Sequence, residues 1–462
     1  MSGIAASRAA AFTGFVHRRR RGAELMLLIL SLVVGIGAYA AVGIGAEGKV
    51  PADIIPYGGW LAVLVIAAHV AIRLRAPYAD PVLLPIISAL NGLGLAIIHR
   101  INIAQPDRAP AAHTQLTWMT IGVVLFIVVL VVLRDHRRLQ AFTYTSGLGA
   151  ILLLLLPLVP GVGTRINGAR IWIHLGPMSF QPGEVAKVLL VVAFAGYLVV
   201  HRDALALAGR RVLFVDLPRG RDLGPILVMW LVSLGVLVFQ NDLGSSLLFF
   251  GLFLVMLYVA TERAGWLLVG ALMFLVGAYL SYLLVGHVQD RVNLWLDPFH
   301  DPNGYQLVQG LYGMAWGGLT GRGLGLGSPQ ITPFGYSDFI ASSVGEELGL
   351  TGLMAVILLY ALLVERGLRT ALISRDNFGK LMASGLAVTF ALQVFVVVGG
   401  VTGLIPLTGL TTPFLSYGGS SLVANWVIVA LLLRISDQAR KPPPEWSDRD
   451  EDADATQVVS LR

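Results

Sequence analysis

Apolar residues in this chain are gathered into twelve runs, separated by polar stretches that are mostly short. Each run has roughly 20 residues, the length that an α-helix needs to cross the hydrocarbon core of a bilayer. The pattern therefore predicts an all-α polytopic membrane protein with about 12 transmembrane helices. The predicted spans are residues 23–46, 57–74, 81–99, 115–133, 141–160, 184–201, 223–241, 243–261, 264–286, 344–364, 381–404 and 417–436.

Positive charges are distributed unevenly between alternate loops. With a cytoplasmic N-terminus, 25 of the 33 lysines and arginines lie on the inner side, 7 lie outside and Lys187 lies within a span. Cytoplasmic loops of membrane proteins carry such an excess. The bias predicts an N-in, C-in topology in a bacterial plasma membrane, with two long outer segments, residues 161–183 and 287–342. The second, between spans nine and ten, is the only long polar interruption, so we expect a catalytic extracellular loop there.

Composition agrees with a membrane domain over residues 23–436. Charged residues make up only 13% of the chain and the mean hydropathy is +0.76, whereas soluble domains carry about 25% charged residues. The net charge of +6 does not indicate a nucleic-acid partner, because the basic residues lie in short loops. The chain has no cysteine, which excludes disulfides and thiolate metal sites. Residues 1–22 are predicted to be a cytoplasmic segment, and the Pro-rich, acidic residues 437–462 a disordered cytoplasmic tail.

Ionisable groups within or beside predicted spans are costly in a membrane, which makes them candidate functional groups. Glu184 and Lys187 lie three residues apart on one helix face, where they form either a structural ion pair or part of a functional cavity. Asp242 begins span eight and is a helix cap, a salt-bridge partner of Lys187 or a cavity residue. Glu346 and Glu347 begin span ten, where negative charge suits the helix dipole.

Asp338 stands apart from these groups. It lies outside, just before span ten, in the segment PFGYSDFIASS, among apolar and aromatic neighbours. Such a setting at a membrane mouth raises a carboxyl pKa toward that of a useful general base. The alternative is an N-cap for the helix that leads into span ten. The residues alone leave both interpretations open.

Other outer residues give weaker signals. Arg170 and Trp172 could bind a phosphate and the face of a sugar or isoprene, although a tryptophan here could also be an interfacial anchor. The stretch GGLTGRGLGLGS looks like a phosphate-cradling loop, but it lacks a GK[ST] ending and a preceding strand, and flexible turns explain it equally. The histidines show no metal-ligand spacing. A divalent cation (Mg²⁺ or Mn²⁺) held loosely by carboxylates and a pyrophosphate remains a candidate.

The predicted topology also restricts the substrates. An outer loop has no supply of ATP or nucleotide sugars, so a bond-forming enzyme there needs an activated donor that the membrane delivers. A sugar linked to polyprenyl pyrophosphate is a donor of this kind.

Six motifs occur in an order that resembles the SEDS family (shape, elongation, division and sporulation) over about residues 80–436. They are NGARIWIHLG with FQPGEVAK, NDLGSS, WLDPFHDPNGYQLVQ, GLGLGSPQ, SDFIASSVGEELGL and GLIPLTGLTTPFLSYGGSS. The resemblance implies a peptidoglycan glycosyltransferase that polymerises lipid II outside the plasma membrane into β-1,4-linked glycan and releases undecaprenyl pyrophosphate. It also implies a core of ten spans, to which this chain adds two at its N-terminus.

Matching the motifs position by position assigns roles to residues. The family's essential aspartate falls on Asp338, which is therefore expected to be the catalytic general base. Substrate-binding or cavity roles are expected for Trp172, Arg170, Glu184, Lys187, Asp242, Tyr305, Gln306, Gln309, Arg291, Arg322 and Ser416. Three positions depart from the commoner family pattern without removing a charge that these roles need: Ile171, Asn241 and Ser337.

The sequences NGARIWI and PLTGLTTPFLSYGGSS, together with the two added spans, look most like the elongation branch of the family in high-GC Gram-positive bacteria and less like the division branch. The resemblance implies a class B penicillin-binding protein, a single-span transpeptidase, as the partner. Two alternatives belong to other classes. One is a lipid II flippase, in which Glu184, Lys187 and Asp242 line a pathway. The other is a scaffold that only activates the transpeptidase.

Overall fold

The structure, a computed structural model, describes residues 20–107, 112–166, 168–175, 178–205, 208–212, 215–218 and 224–442. Its α-helices, numbered in chain order, are α1 Arg21–Glu47, α2 Ile54–Arg75, α3 Leu83–Ala104, α4 Ala112–Val132, α5 Thr143–Leu155, α6 Pro182–Leu205, α7 Gly224–Gly235, α8 Leu243–Thr261, α9 Ala264–Leu284, α10 Gly286–Leu296, α11 Tyr305–Gly317, α12 Ile340–Ile373, α13 Asn377–Val401 and α14 Gly419–Arg440. The predicted tail 437–462 begins within α14, and its residues from 443 lie outside the described residues, as do residues 1–19.

Eleven helices among the described residues are long and apolar enough to cross a membrane, and they match eleven of the twelve predicted spans. One of them, His136–Leu158, consists of α5 with a 3₁₀ turn at each end. The remaining predicted span, 223–241, is shorter, because α7 has 12 residues and continues into a π-helix of 5 residues, Val236–Gln240. Asn241 ends this helix at a φ of 57°, a left-handed conformation that asparagine tolerates.

The helical membrane bundle is as expected, and the outer segment 161–183 adds to it a small antiparallel sheet. Its strands are β1 Gly163–Ile166, β2 Ala169–Leu175 and β3 Met178–Phe180, in the order β1-β2-β3. The run ARIWIHL in β2 is rich in β-branched and aromatic residues, which favour strands. Gly168, at a φ of 83°, supplies the left-handed residue of the turn before β2. A second hairpin joins β4 Ala208–Val212 to β5 Val215–Pro218.

The long outer segment 287–342 is also more ordered than an open loop. It contains most of α10, all of α11 and a short 3₁₀ turn, Pro329–Ile331. Glycines on one face of α11 allow it to pack closely against the start of α12. A side chain at Gly310 would overlap the ring of Phe339, with its Cβ 2.7 Å from the nearest ring carbon. This packing ties the outer segment to the bundle next to Asp338.

Four helices form the centre of the bundle. The spanning windows of α3 and α14 are each 89% buried, and those of α13 and α6 are 78% and 67% buried, whereas the window of α9 is only 17% buried. Peripheral helices such as α9 present leucine and valine side chains outward, where lipid tails solvate them. Of the candidate polar groups, Glu184 and Lys187 lie on one of these central helices, at the outer end of α6.

Of the two N-terminal helices, α1 packs mainly against α3 and α2 mainly against α4. The backbones of α1 and α3 meet at a pair of glycines, where a Cβ added to Gly35 would lie 2.9 Å from the Cα of Gly92. Small residues permit such close helix packing in membranes. Within the pair, a buried contact of 2.8 Å joins His69 of α2 to Glu24 of α1. The added helices therefore pack against the rest of the protein as part of one bundle.

Candidate active site

Asp338 lies in the turn that leads into α12. The turn is closed by the Phe339 amide, which donates a hydrogen bond to the Phe334 carbonyl at 3.2 Å. Helix α12 begins at Ile340 with Phe339 as its N-cap and no capping side chain. The structure thus does not use Asp338 as a helix cap. The half-buried carboxylate faces the 402–418 loop, where a Cβ on Gly409 would lie 3.8 Å from an Asp338 oxygen.

Asp338 has the electrostatics of a base that works near neutral pH. Its pKa is raised to about 7, chiefly because burial penalises the charged form, and the Asp242 carboxylate adds to this effect. A hydrogen bond from the Ser337 side chain and the positive charge of Arg291 act in the opposite direction. The carboxylate is therefore able both to take up a proton and to give it back at the pH of the outer surface.

Arg291 is the cation whose charge acts on Asp338. Its guanidinium, on α10, donates to the Leu407 carbonyl at 3.1 Å. Burial lowers the pKa of Arg291, while Asp338 and Asp242 raise it. Arg322, in contrast, is exposed and stacks on Trp316 at 5.0 Å from the ring centroid. The loop 402–418 thus contacts both the proposed base and its cation.

Asp242 caps α8, as one of the alternatives expected. Its carboxylate accepts hydrogen bonds from the Ser245 amide at 2.9 Å and the Ser245 hydroxyl at 2.5 Å. Burial raises the pKa of Asp242, and the Glu184 carboxylate contributes to the same effect. The predicted alternative of a salt bridge from Lys187 to Asp242 is wrong, because Lys187 contacts other groups.

Glu184 and Lys187 form the buried ion pair that their spacing predicted. The Lys187 ammonium lies 2.7 Å from the Glu184 carboxylate and also donates to the Gln393 carbonyl oxygen at 2.9 Å. The amide nitrogen of Gln393 in turn donates to the Thr411 carbonyl at 2.8 Å. This chain of contacts connects the ion pair in α6 to the same 402–418 loop that lies beside Asp338.

Ser416 holds the two loops of the site together. Its hydroxyl donates to the Ser337 carbonyl at 2.6 Å and accepts from the Thr412 amide at 2.9 Å. The Gln115 side chain of α4 donates to the Ser416 carbonyl at 3.0 Å. Since these bonds occupy the Ser416 hydroxyl, its structural role is to fix the backbone next to Asp338.

The remaining candidates lie around this centre with fewer contacts. Gln306 donates to the Pro333 carbonyl at 3.3 Å, Tyr305 is exposed and Gln309 is half-buried on the same helix. Arg170 and Trp172 are half-buried on β2, two residues apart and so on one face of the strand. In the described part of the chain, no hydrogen bond or ion pair joins these two residues to Asp338.

The backbone amides of the glycine-rich stretch bind carboxylates of the protein itself and not a phosphate. The Gly325 amide donates to the Glu347 carboxylate at 2.6 Å, and the Ser328 amide donates to the Glu346 carboxylate at 2.5 Å. The phosphate-binding interpretation is wrong for these amides, because carboxylates already occupy them. Arg100, which the charge pattern placed in an outer loop, is buried at the end of α3, 3.2 Å from Glu347.

Three buried polar residues were missed by the sequence analysis: Arg100, Gln115 and Gln393. Each lies in a spanning helix and uses its side chain to hold an outer loop. Polar side chains inside apolar spans are the signal that could have found them. The described residues contain no group of three or more histidine, aspartate or glutamate side chains placed to hold a metal ion.

The sequence matches one protein family over residues 81–441, the FtsW, RodA and SpoVE group described as cell cycle proteins. The chain belongs to this family, which is the SEDS family that the motifs resemble. With eleven apolar spans among its described residues, it is a multi-pass protein of the bacterial cell membrane.

Within the family, the chain is similar to the elongation branch. It is 48% identical over 430 residues to the peptidoglycan glycosyltransferase RodA of Mycobacterium tuberculosis, covering 92% of each chain. It is 47% identical over 429 residues to RodA of Mycobacterium leprae, again covering 92% of each. A probable peptidoglycan glycosyltransferase FtsW of Geobacter metallireducens is 35% identical over 313 residues, 67% of this chain.

Solved structures agree with this fold. One belongs to a peptidoglycan synthase complex whose coordination of polymerization and crosslinking was studied. Its chain has a TM-score of 0.61 and is 31% identical, and the match covers 78% of the present chain and 98% of that chain. The rod shape determining protein RodA of Thermus thermophilus has a TM-score of 0.55 and 27% identity, and the match covers 79% of the present chain and 98% of the RodA chain. Both cover nearly all of their own length but under four fifths of this chain. The family match likewise begins after α1 and α2.

Proposed function

We propose that this protein is an elongation-type peptidoglycan glycosyltransferase that polymerises lipid II on the outer side of the plasma membrane, with Asp338 as its general base. The observation that carries the proposal is the Asp338 carboxylate, which caps no helix, interacts electrostatically with Arg291 and has a pKa raised to about 7. The names and extent of the mycobacterial relatives support the reaction and the elongation branch over the division branch.

In the proposed reaction, Asp338 takes the proton from the 4-hydroxyl of the terminal N-acetylglucosamine of the acceptor. The oxygen attacks the anomeric carbon of the donor's N-acetylmuramic acid and inverts it from α to β, while undecaprenyl pyrophosphate leaves. Inversion places the leaving group on the face opposite the base. Arg291 is therefore assigned to Asp338, whose charged form it stabilises. The pyrophosphate on the other face needs Arg170, Arg322 or a divalent cation.

The rest of the site positions substrates. Glu184, Lys187 and Asp242 are proposed to shape the substrate site below Asp338, and Tyr305, Gln306 and Gln309 of α11 to contact sugar hydroxyls. Trp172 offers an apolar face to a sugar ring or isoprene unit. A divalent cation would be held mainly by the pyrophosphate oxygens of the substrate, because the described residues contain no group of three or more acidic or histidine side chains placed to hold it.

The proposed partner is a class B penicillin-binding protein, and an apolar groove offers a place for its single transmembrane helix. The groove, between α12 and α13, has a volume of about 850 Å³ and faces outward at membrane depth. Its lining includes Ile357, Val364, Ala391, Val394, Phe395 and Val398. Ala391→Trp would fill the groove, so we expect it to reduce co-purification of the transpeptidase. Leu275→Trp, on the exposed face of α9, is the control.

Polymerisation and flipping can be separated with the purified protein. In detergent, where there are no membrane leaflets, a polymerase converts fluorescent lipid II into glycan that runs as a ladder on a gel. The proposal predicts such a ladder from the complex with its transpeptidase. If the protein instead moves lipid II across vesicles and forms no glycan in detergent, the flippase alternative replaces the proposal. A complex that forms no glycan and moves no lipid II leaves the scaffold function.

A further inference from the structure

The glycine-rich segment, residues 318–328, is in backbone contact with α1. A Cβ on Gly45 of α1 would overlap the Leu324 carbonyl oxygen and lie 3.0 Å from the Cα of Gly325. Reciprocally, a Cβ on Gly325 would lie 2.5 Å from the Val42 carbonyl oxygen. Two backbones come this close only where neither carries a side chain. The outer end of α1 therefore fits directly against the glycine-rich segment.

The opposite side of the segment pairs with α12, where that helix is broken. Gly349 has a φ of 70°, so the outer part of α12, residues 340–348, is a separate short helix. The Arg322 amide donates to the Glu346 carbonyl at 3.0 Å, and the Gly323 amide donates to the Glu347 carbonyl at 2.9 Å. The segment thus accommodates backbone groups that the break leaves without helical partners.

Side chains strengthen this contact from a second direction. Glu347 is fully buried and accepts from the Gly325 amide at 2.6 Å. Arg100 of α3 lies 3.2 Å from the same carboxylate and donates to the Gly327 carbonyl at 2.6 Å. The glycine-rich segment is consequently enclosed between α1, the end of α3 and the outer part of α12.

The outer part of α12 begins two residues after Asp338. Its Ser343 hydroxyl donates to the Gly335 carbonyl at 2.8 Å, which fixes the turn that contains Asp338. Any displacement of residues 340–348 therefore moves the carboxylate. A continuous set of contacts runs from α1 through the glycine-rich segment to the proposed base.

We propose that α1 is a positioning element for Asp338: its outer end, at Gly45, presses the glycine-rich segment against the outer part of α12 and so holds the Asp338 carboxylate in place. This inference rests on the proposed function and extends it to a helix that precedes the family match. It assigns a role to the N-terminal extension, which takes no part in the proposed chemistry, and to the backbone of the glycine-rich segment.

The test compares two substitutions on the same helix. In Gly45→Leu, the new side chain collides with the glycine-rich segment, whereas Gly37 is exposed and a Cβ there meets nothing within 4 Å, so Gly37→Leu is the matched control. Both are measured in the full-length complex with its transpeptidase. We expect Gly45→Leu to lower kcat about tenfold or more, since small misplacements of a catalytic group have large effects. Gly37→Leu should keep the wild-type rate.

The pH profile separates positioning from loss of folded protein. Burial is the largest cause of the raised pKa of Asp338, so a displaced, better hydrated carboxylate has a lower pKa. The acidic limb of kcat/KM should then move to lower pH by about half a unit or more in Gly45→Leu. Arg100→Lys, which weakens the contact to Glu347 without touching α1, should move the limb in the same direction.

The inference is overturned if Gly45→Leu changes only the amount or melting temperature of the protein and leaves the midpoint of the acidic limb unchanged. If Gly45→Leu does not yield folded complex, Gly45→Ala carries the same comparison against Gly37→Ala. Failure of the proposed function gives a different result: the wild type itself then shows no glycan formation, or no acidic limb near pH 7.

Discussion

The pKa of Asp338 makes a quantitative prediction about the pH dependence of glycan formation. With a pKa of about 7, about a tenth of the Asp338 side chains are ionised at pH 6, half at pH 7 and about nine tenths at pH 8. If the ionised carboxylate is the base, kcat/KM rises about tenfold between pH 6 and pH 8. An aspartate with the ordinary pKa of 3.8 would be ionised throughout this range and would give a flat profile.

The assay is the initial rate of polymerisation of fluorescent lipid II, at subsaturating concentration, between pH 5.5 and 8.5, with the enzyme co-purified with its transpeptidase. Asp297→Asn is the matched control, because Asp297 is also an outer carboxylate but is exposed and has a pKa lowered by its hydrogen bond with His300. This variant should keep the wild-type profile. A flat wild-type profile, or a limb with a midpoint below pH 5, would refute the reasoning from burial.

Three further predictions concern the groups around the base. Arg291→Gln removes a charge that lowers the pKa of Asp338, so the acidic limb should move above pH 7; an unchanged midpoint contradicts the pairing. Lys187→Met leaves the Glu184 carboxylate buried without its partner, so it should destabilise the protein by about 3–5 kcal/mol and lower its melting temperature in detergent. The double variant Lys187→Met with Glu184→Gln should recover much of this loss of stability. Because the pKa of Asp338 is raised in the folded state, ionisation of its carboxylate destabilises the protein as the pH rises from about 4 to 7. Asp338→Asn should therefore be more stable than the wild type at pH 8, by about 4 kcal/mol at most, and equally stable near pH 4. Equal stability of the two proteins at both pH values would show that burial of the carboxylate is not costly.

Much of the fold follows from hydropathy, because each span must satisfy its backbone hydrogen bonds internally and so becomes a helix wherever the apolar run is long enough. The predicted spans fail only where local chemistry intervenes. The apolar run at 223–241 ends in a π-helix and a left-handed Asn241, which hydropathy does not register. The sheet at 161–183 forms outside the membrane, where alternation in a short run such as ARIWIHL is the only signal.

The residues of the site could be predicted from the sequence, but which of them contact one another could be predicted only in part. The apolar residues on either side of Asp338 in the chain are enough to indicate a raised pKa. The choice of Arg291 over Arg170 and Arg322 depends on contacts with residue 407, more than a hundred positions away in the chain. The glycine-rich segment was ambiguous for the same reason, since its partners Glu347 and Gly45 belong to other helices.

The most direct test of the account is glycan formation from purified lipid II by the wild-type protein and by Asp338→Ala, each co-purified with its transpeptidase and adjusted to equal amounts of folded complex. The account predicts a glycan ladder from the wild type and a rate lower by about 10²–10⁴-fold from Asp338→Ala, the contribution of a general base. Equal rates from the two proteins would show that Asp338 is not the base and would contradict the account at its centre.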